Sequence, residues 1–392
     1  MGQAALKSID TTDVLDVSPA LDIISKYADE GRKNHRISEP VITALRDTGF
    51  FRAVLPKQYG GLEVHPSDFF KAAIDIAERD MGTSWATGII AIHAFQLAMM
   101  DPKACEDVYG TTGPDTLISS SYNPVGAKVE TVDGGFKLSG RWGWSSGSAH
   151  CDWVLLGGLI FDQGKENIHY RTFLVPKPDY VIDNTWFPMG LQSTGSNDIV
   201  IEEPCFVPTY RTHHQMDGFN GVHPQTSPMY NIPWAQTFIR VVCSAAIGGV
   251  KHALQLFIDN AKGSSTDVTR LASDPDVTRR VAEVANMIDE TEVVLYRNFD
   301  KMMEQVEAGE EIPLLDRIKY RYQASLVIEK MIKAMDMLFD VAGGRSVYVG
   351  SPIQDIWHDV HIARAHVANN PVSFGRNYGA VLLGGENTDV FL

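Results

Sequence analysis

A few places in this chain put chemically capable side chains at useful spacings. Trp85 and His93 stand eight residues apart in SWATGIIAIH. Eight residues is slightly over two helical turns, so both side chains can border one cavity. Imidazole titrates near neutrality and suits holding or taking a hydroxyl proton, although a histidine on an apolar helix is more often a satisfied core residue. Ser119, Ser120 and Ser121 end a β-rich run. Strand alternation keeps the three hydroxyls from all facing one pocket, so at least one contributes backbone contacts alone; a polar edge strand is the plain alternative. Gly143, Trp144 and Ser145 lead into Ser146-Gly147, which taken alone is an ordinary strand-end turn. Gly344-Arg345 follows a long helical pattern; glycine permits close backbone approach, and arginine suits phosphate. Near the C-terminus, WHDVHIARAHVAN holds His358, His361 and His366-Val367. His358 and His361, with Asp355 or Asp359, could share a helix face around a metal, but there is no HExxH-type arrangement.

These residues need elements to hold them. Residues 1–115 read as helical, with apolar positions at helical spacing in Ser18–Arg32, Pro40–Thr48 and Pro66–Arg79. Gly82–Met100 is apolar nearly all round, which predicts a buried helix. Phe50–Gly61 is a loop punctuated by proline and glycine. Over 116–215 short β-rich runs alternate with turn signals, among them the Asp133-Gly134-Gly135 hairpin turn, and predict a small antiparallel barrel or sandwich. Over 216–392 the helical period returns. Thr278–Glu307 carries one apolar face, and Ile318–Ala342 does the same before stopping at Gly343-Gly344, so a four-helix bundle is expected.

Composition narrows the function. A formal net charge of −15 argues against nucleic acid, which needs clustered Lys and Arg. The four cysteines are scattered without CxxC spacing, which implies no disulfide framework and fits a reducing cytoplasm. MGQAALKSIDTT lacks the features of a signal peptide and fails the myristoylation pattern, and Gly88–Met100 and Val241–Val250 read as too short or too interrupted to span a bilayer. The expectation is a cytoplasmic protein with no membrane role.

Several segments, in order across nearly the whole chain, resemble the acyl-CoA dehydrogenase superfamily. They are FFRAVLPKQYGGL (Phe50–Leu62), LSGRWGWSSGSAHCDWV (Leu138–Val154), FLVP through MGLQSTGSND to FVP (Phe173–Pro208), and DVAGGR (Asp340–Arg345). The resemblance implies an N-terminal helical domain, a middle β domain and a C-terminal helical bundle. The dehydrogenases carry a catalytic Glu in the C-terminal region, where this chain has Val367 preceded by His366. Without that carboxylate, α-proton abstraction from an acyl-CoA lacks its base. With the Trp85–His93 pair and ISSSY (Ile118–Tyr122), the chain looks like the two-component flavin-dependent monooxygenases of this fold, the branch that hydroxylates p-hydroxyphenylacetate and ring-opened steroid phenols.

That resemblance implies an oxygenase component working with a separate NAD(P)H-flavin reductase. It would take reduced FMN or FAD and O2, form a C4a-hydroperoxyflavin, and hydroxylate a small aromatic substrate, a phenol at its ortho carbon. His366, His93 and Ser145 would be catalytic. Ser145 would contact flavin N5, and His366 would assist oxygen activation or proton transfer beside C4a. Trp85, Ser119, Ser120, Ser121, Gly143, Trp144, Ser145, Gly344, Arg345, His366 and Val367 would border the flavin. His93 and Ser119 would hold the substrate hydroxyl. No metal is required, and a homotetramer is implied. Two departures stand out. The basic residue that grips the flavin phosphate in relatives has no clear counterpart, with Lys262 or Arg270 as substitutes, and Gln192-Ser193 replaces a usual Arg-Gly. Open alternatives are oxygenation of nitrogen, sulfur or indole on the same scaffold, a true acyl-CoA dehydrogenase, or a scaffold protein without chemistry.

Overall fold

A computed structural model describes residues 15–162, 167–214, 227–262 and 271–392. The N-terminal helices are α1 (Ser18–Asn34), α2 (Glu39–Asp47), α3 (Pro66–Ala77), α4 (Met81–Leu97) and the single turn α5 (Pro102–Cys105). Every residue of α4 is buried, as a helix apolar on all sides requires. The loop between α2 and α3 folds into two short 3-10 turns, Phe50–Arg52 and Lys57–Tyr59. Gly61 is needed in that loop, because a Cβ there would sit 1.8 Å from the Leu55 carbonyl oxygen.

The β domain is a sandwich of two four-stranded sheets. The first holds β1 (Ile118–Ser121), β4 (Trp153–Asp162), β5 (Asn167–Pro176) and β8 (Thr212–His214), in that order. The second runs β2 (Ala127–Val132), β3 (Gly135–Ser145), β7 (Asn197–Pro208), β6 (Val181–Asp183). The Asp133-Gly134 turn closes the β2–β3 hairpin with Gly134 at φ 75°. The expected antiparallel pairing holds except that β1 runs parallel to β4. The three-residue edge strands β6 and β8 lie outside the predicted runs, too short to show an alternating pattern. Leu138, Trp142, Val154, Leu156, Phe173 and Ile199 fill the space between the sheets. Leu155 and Leu174, on the opposite face of the first sheet, belong to the main helical core.

The C-terminal part comprises α6 (Trp234–Lys262), α7 (Pro275–Glu307), α8 (Leu314–Phe339), α9 (Pro352–Ala363) and α10 (Pro371–Leu382). On α7 the predicted face is buried at Val284, Ile288, Leu295, Phe299, Met302 and Val306, while Val281 is half-buried. Helix α8 ends at Phe339, and a turn delivers the chain to Gly343 at φ 78°. By length and composition α6 could cross a membrane, contrary to the reading of Val241–Val250 as too interrupted. Here it is the central helix, packed against α3, α4 and α8.

Two domains meet at the start of α4. Asp80 caps that helix through its carboxylate, accepting from Thr83 N at 2.8 Å and Thr83 Oγ1 at 2.7 Å. Such a cap contributes about 1 kcal/mol. The same carboxylate pairs with Arg32 of α1 at 2.6 Å and accepts from Ser193 Oγ of the β domain at 3.0 Å. Ser193, one of the two departures, is therefore part of the joint that holds α4. Beside it, the Leu191 N–H donates to Asp359 of α9 at 2.5 Å. Burial and the neighbouring Asp80 push the Asp359 carboxyl up to about 7.

Candidate active site

One fully buried helix carries two of the functional candidates, and its neighbours bring in the others. Trp85 and His93 lie on α4, and His366 lies in the turn after α9. Trp85 packs edge-on against the His366 ring at 5.9 Å. Phe238 of α6 lies 6.4 Å from His366 and 6.3 Å from His93. Trp234, one turn earlier on α6, is 5.2 Å from Phe238 and 6.1 Å from His93. Tyr122, just after β1, closes the group at 6.0 Å from His93 and 5.0 Å from Phe238. The result is a continuous aromatic wall between the N-terminal helices, the first sheet and the bundle.

The two histidines in that wall hold opposite tautomers. The His93 Nδ1 donates to the Ile89 carbonyl oxygen one turn back. In the neutral ring Nε2 then carries the lone pair, and it has no hydrogen-bond partner among the described residues. The His366 Nδ1 instead accepts from Ala368 N at 3.2 Å, so its Nε2 carries the proton. Burial pushes both imidazoles down to about 4, and Arg321 lowers His366 further. At neutral pH the site therefore holds a neutral acceptor, His93, and a neutral donor, His366. Arg321 also donates to Ala368 O at 3.1 Å and so secures the turn bearing His366.

The serines fall into place by alternation. Ser121 Oγ donates to Gly143 O at 2.5 Å, tying β1 to β3. Ser120, on the other face of the strand, lies beside the Tyr122 hydroxyl. Ser119 Oγ is buried beside the Cys151 thiol. Ser145, after an irregularity in β3, is also fully buried with its hydroxyl unpartnered. Trp144 beside it takes φ 67° and leaves its indole 64% exposed. That is an unusual state for a large aromatic side chain, in both backbone and exposure. The following turn packs on α4: a Cβ on Gly147 would sit 2.5 Å from Ile90 Cδ1. Ser145 is thereby held against the helix that bears Trp85 and His93.

Most buried polar atoms in proteins are hydrogen-bonded. Here His93 Nε2 and Ser145 Oγ have no such partner among the described residues. An exposed indole face beside a free hydroxyl, with Val367 exposed next to His366, fits a flat aromatic cofactor. Gly344 and Arg345 are exposed in the turn after α8, and no hydrogen bond or ion pair among the described residues links Arg345 to this group. Lys262 is exposed, and Arg270 lies outside the described residues. The suggested metal ligands are engaged otherwise. His361 Nδ1 bonds Trp357 O at 2.7 Å, and its Nε2 faces Asp336 at 3.3 Å. No group of three or more His, Cys, Asp or Glu among the described residues could hold a metal.

Sequence reasoning missed Tyr122, Trp234 and Phe238. The i, i+4 spacing of Trp234 and Phe238 at the start of an apolar helix looks like ordinary core. Tyr122, directly after the serine run, was the available signal.

Comparison with known proteins matches residues 240–371 to the family of the acyl-CoA dehydrogenase C-terminal domain. The oxygenase subunit HsaA of a flavin-dependent monooxygenase from Rhodococcus jostii is 33% identical over 95% of this chain and 98% of its own length. The chain belongs to the flavin-dependent monooxygenases of this fold. The monooxygenase also superposes on the crystal structure of 3-HSA hydroxylase from Rhodococcus sp. RHA1 with a TM-score of 0.91 at 32% identity, covering 98% of this chain and 100% of that one. A further relative, the oxygenase component of an FADH(2)-dependent resorcinol hydroxylase from a Rhizobium species, is 28% identical over 94% of this chain and 93% of its own. The expected fold and enzyme class are thereby established, and the monooxygenase is an oxygenase component rather than a dehydrogenase.

Proposed function

We propose that this monooxygenase hydroxylates a phenol at the ring carbon ortho to its hydroxyl, using reduced FMN or FAD delivered by a separate NAD(P)H-flavin reductase. The observation that carries this reading is the unpartnered Nε2 lone pair of His93, set in an aromatic wall. A phenol ring packs against Phe238 and Tyr122, and its O–H donates to His93 Nε2, with Ser119 as a second contact. At a pKa of about 4 His93 is first a hydrogen-bond acceptor. It polarises the O–H and raises electron density at the ortho carbon. Full proton transfer becomes accessible only as the phenolate beside it raises the imidazole pKa.

Bound reduced flavin supplies the electrons that activate O2, of which one oxygen atom enters the ring and the other leaves as water. Ser145 Oγ and Trp144 would hold its ring, with Ser145 at N5. His366 Nε2–H would donate to oxygen handled beside the flavin. Trp85 and Phe238, packed on His366, exclude water there.

The test is turnover with enzymatically reduced flavin, ¹⁸O₂ and a panel of phenols, indole and thiophenes. One ¹⁸O ortho to a phenol hydroxyl is the expected product. Oxygenation only at nitrogen, sulfur or indole, or peroxide released at the free-flavin rate, overturns the reading.

We propose a homotetramer, in which Gly344 and Arg345 reach a neighbouring flavin. The supporting feature is the turn around them, where Val347, Tyr348 and Val349 are 59%, 70% and 96% exposed. Light scattering should give about four times the chain mass of 43.3 kDa. A monomer at working concentration would remove the proposal.

A further inference from the structure

A second buried polar atom beside His93 has no partner. Trp234 is fully buried at the start of α6, and its indole Nε1–H makes no hydrogen bond among the described residues. Its ring lies 6.1 Å from that of His93 and is tilted by 59°, so the two unpartnered nitrogens belong to neighbouring rings. The two atoms are complementary. His93 Nε2 can only accept, because its Nδ1 is the donor to Ile89 O. Indole N–H can only donate. A hydroxyl group is both donor and acceptor, so a single substrate hydroxyl satisfies the pair, whereas an ether oxygen or a bare ring carbon leaves one atom or both unsatisfied.

Among the described residues, the ring neighbours of Trp234 offer its N–H no other acceptor. Its neighbours Phe95, Phe238 and His93 are rings, and it packs nearly parallel to Phe95 at 6.4 Å. The nearby Tyr122 hydroxyl is committed to Gln96 Oε1, and Gln96 Nε2 is held by Thr172 and His213. Leaving a buried donor without an acceptor costs about 1–3 kcal/mol. That cost attaches to the same helix turn that supplies Phe238 to the pocket wall.

We infer that Trp234 is a substrate-binding residue: its indole N–H donates to the oxygen of the substrate hydroxyl while that hydroxyl donates to His93 Nε2. The inference rests on the phenolic reading above and assigns a residue that selects for an oxygen atom at that ring position. When the proton moves toward His93, the oxygen gains negative charge and the indole N–H bond to it strengthens. Trp234 thus favours the polarised form of the phenol as well as its binding.

The test compares binding of 4-ethylphenol with that of 4-ethyltoluene, in which a methyl group replaces the hydroxyl, by equilibrium dialysis. Wild-type full-length protein and Trp234→Phe are measured, each loaded with reduced flavin under anaerobic conditions. The wild type should prefer the phenol, and the phenylalanine variant should lose about 3- to 10-fold of that preference, the worth of one neutral hydrogen bond. An unchanged or increased preference in the variant overturns the inference, and would be the result if the indole bonded His93 directly. A wild type with no preference between the two overturns the phenolic reading instead, so the two failures are distinguishable. Should phenylalanine disturb folding at this buried site, 3-benzothienylalanine at position 234 replaces N–H by sulfur at nearly constant shape and is read the same way.

Discussion

Replacing His93 with Asn is expected to slow phenol hydroxylation by about 10²–10⁴-fold, the range for losing a positioned acid–base group. Affinity for reduced flavin should be unchanged, since His93 faces Trp234, Phe238 and Tyr122. The check is ¹⁸O-labelled product formed per second at saturating reduced flavin and substrate. Wild-type turnover by the variant would remove His93 from the chemistry. The same variant changes the response to acid. His93 and His366 sit at about 4 in the folded chain, against an ordinary 6.5. Between those values the unfolded chain binds more protons, so stability falls as pH drops from 6.5 towards 4, and above 6.5 neither group contributes. With Asn at 93 one of the two contributions is gone, and Tm should decline less steeply across that window. Parallel Tm curves would mean that burial does not hold His93 neutral.

Ser145→Ala should separate stability from function. Its hydroxyl is fully buried and has no partner among the described residues. Removing such a group from the unliganded protein costs nothing and can raise Tm slightly, because a desolvated donor disappears. If the hydroxyl instead stabilises charge at the flavin, its loss should cost about 10²-fold in product formed, as for a single preorganised donor. Reduced flavin would still be consumed, and peroxide should account for the missing product. Assaying hydroxylated product and peroxide together on each turnover decides it. A lower Tm with intact coupling would make Ser145 an ordinary turn residue.

The sequence carried a large share of this picture, for reasons that differ between elements. Helix α4 was legible because a stretch apolar on every side has one stable location, the interior. The β runs were legible where they are four residues or longer, and β6 and β8 were not, because three residues hold no period. Trp85, His93 and His366 could be singled out through the resemblance, with the helical spacing of the first two in support, and the fold does bring them to one wall. Their tautomers could not be read from sequence. They depend on which backbone atom lies within reach of each Nδ1, the Ile89 carbonyl for one and the Ala368 N–H for the other. Trp234 and Phe238 stayed hidden for a related reason. Only the partner across the space tells a core aromatic from a pocket aromatic, and that partner comes from another helix.

The Asp80 carboxylate that caps α4 also clasps Arg32 and Ser193, so the first turn of the helix that bears Trp85 and His93 is shared property of two domains. Composition changes sharply near residue 116, yet that point is no seam. Cutting the chain there would leave the helical piece without the hydroxyl that shares its cap and the β piece without the wall that covers Leu155 and Leu174. Evolution on this scaffold can therefore vary the pocket lining residue by residue, but it cannot trade the β domain as a cassette without rebuilding the hinge pin at Asp80.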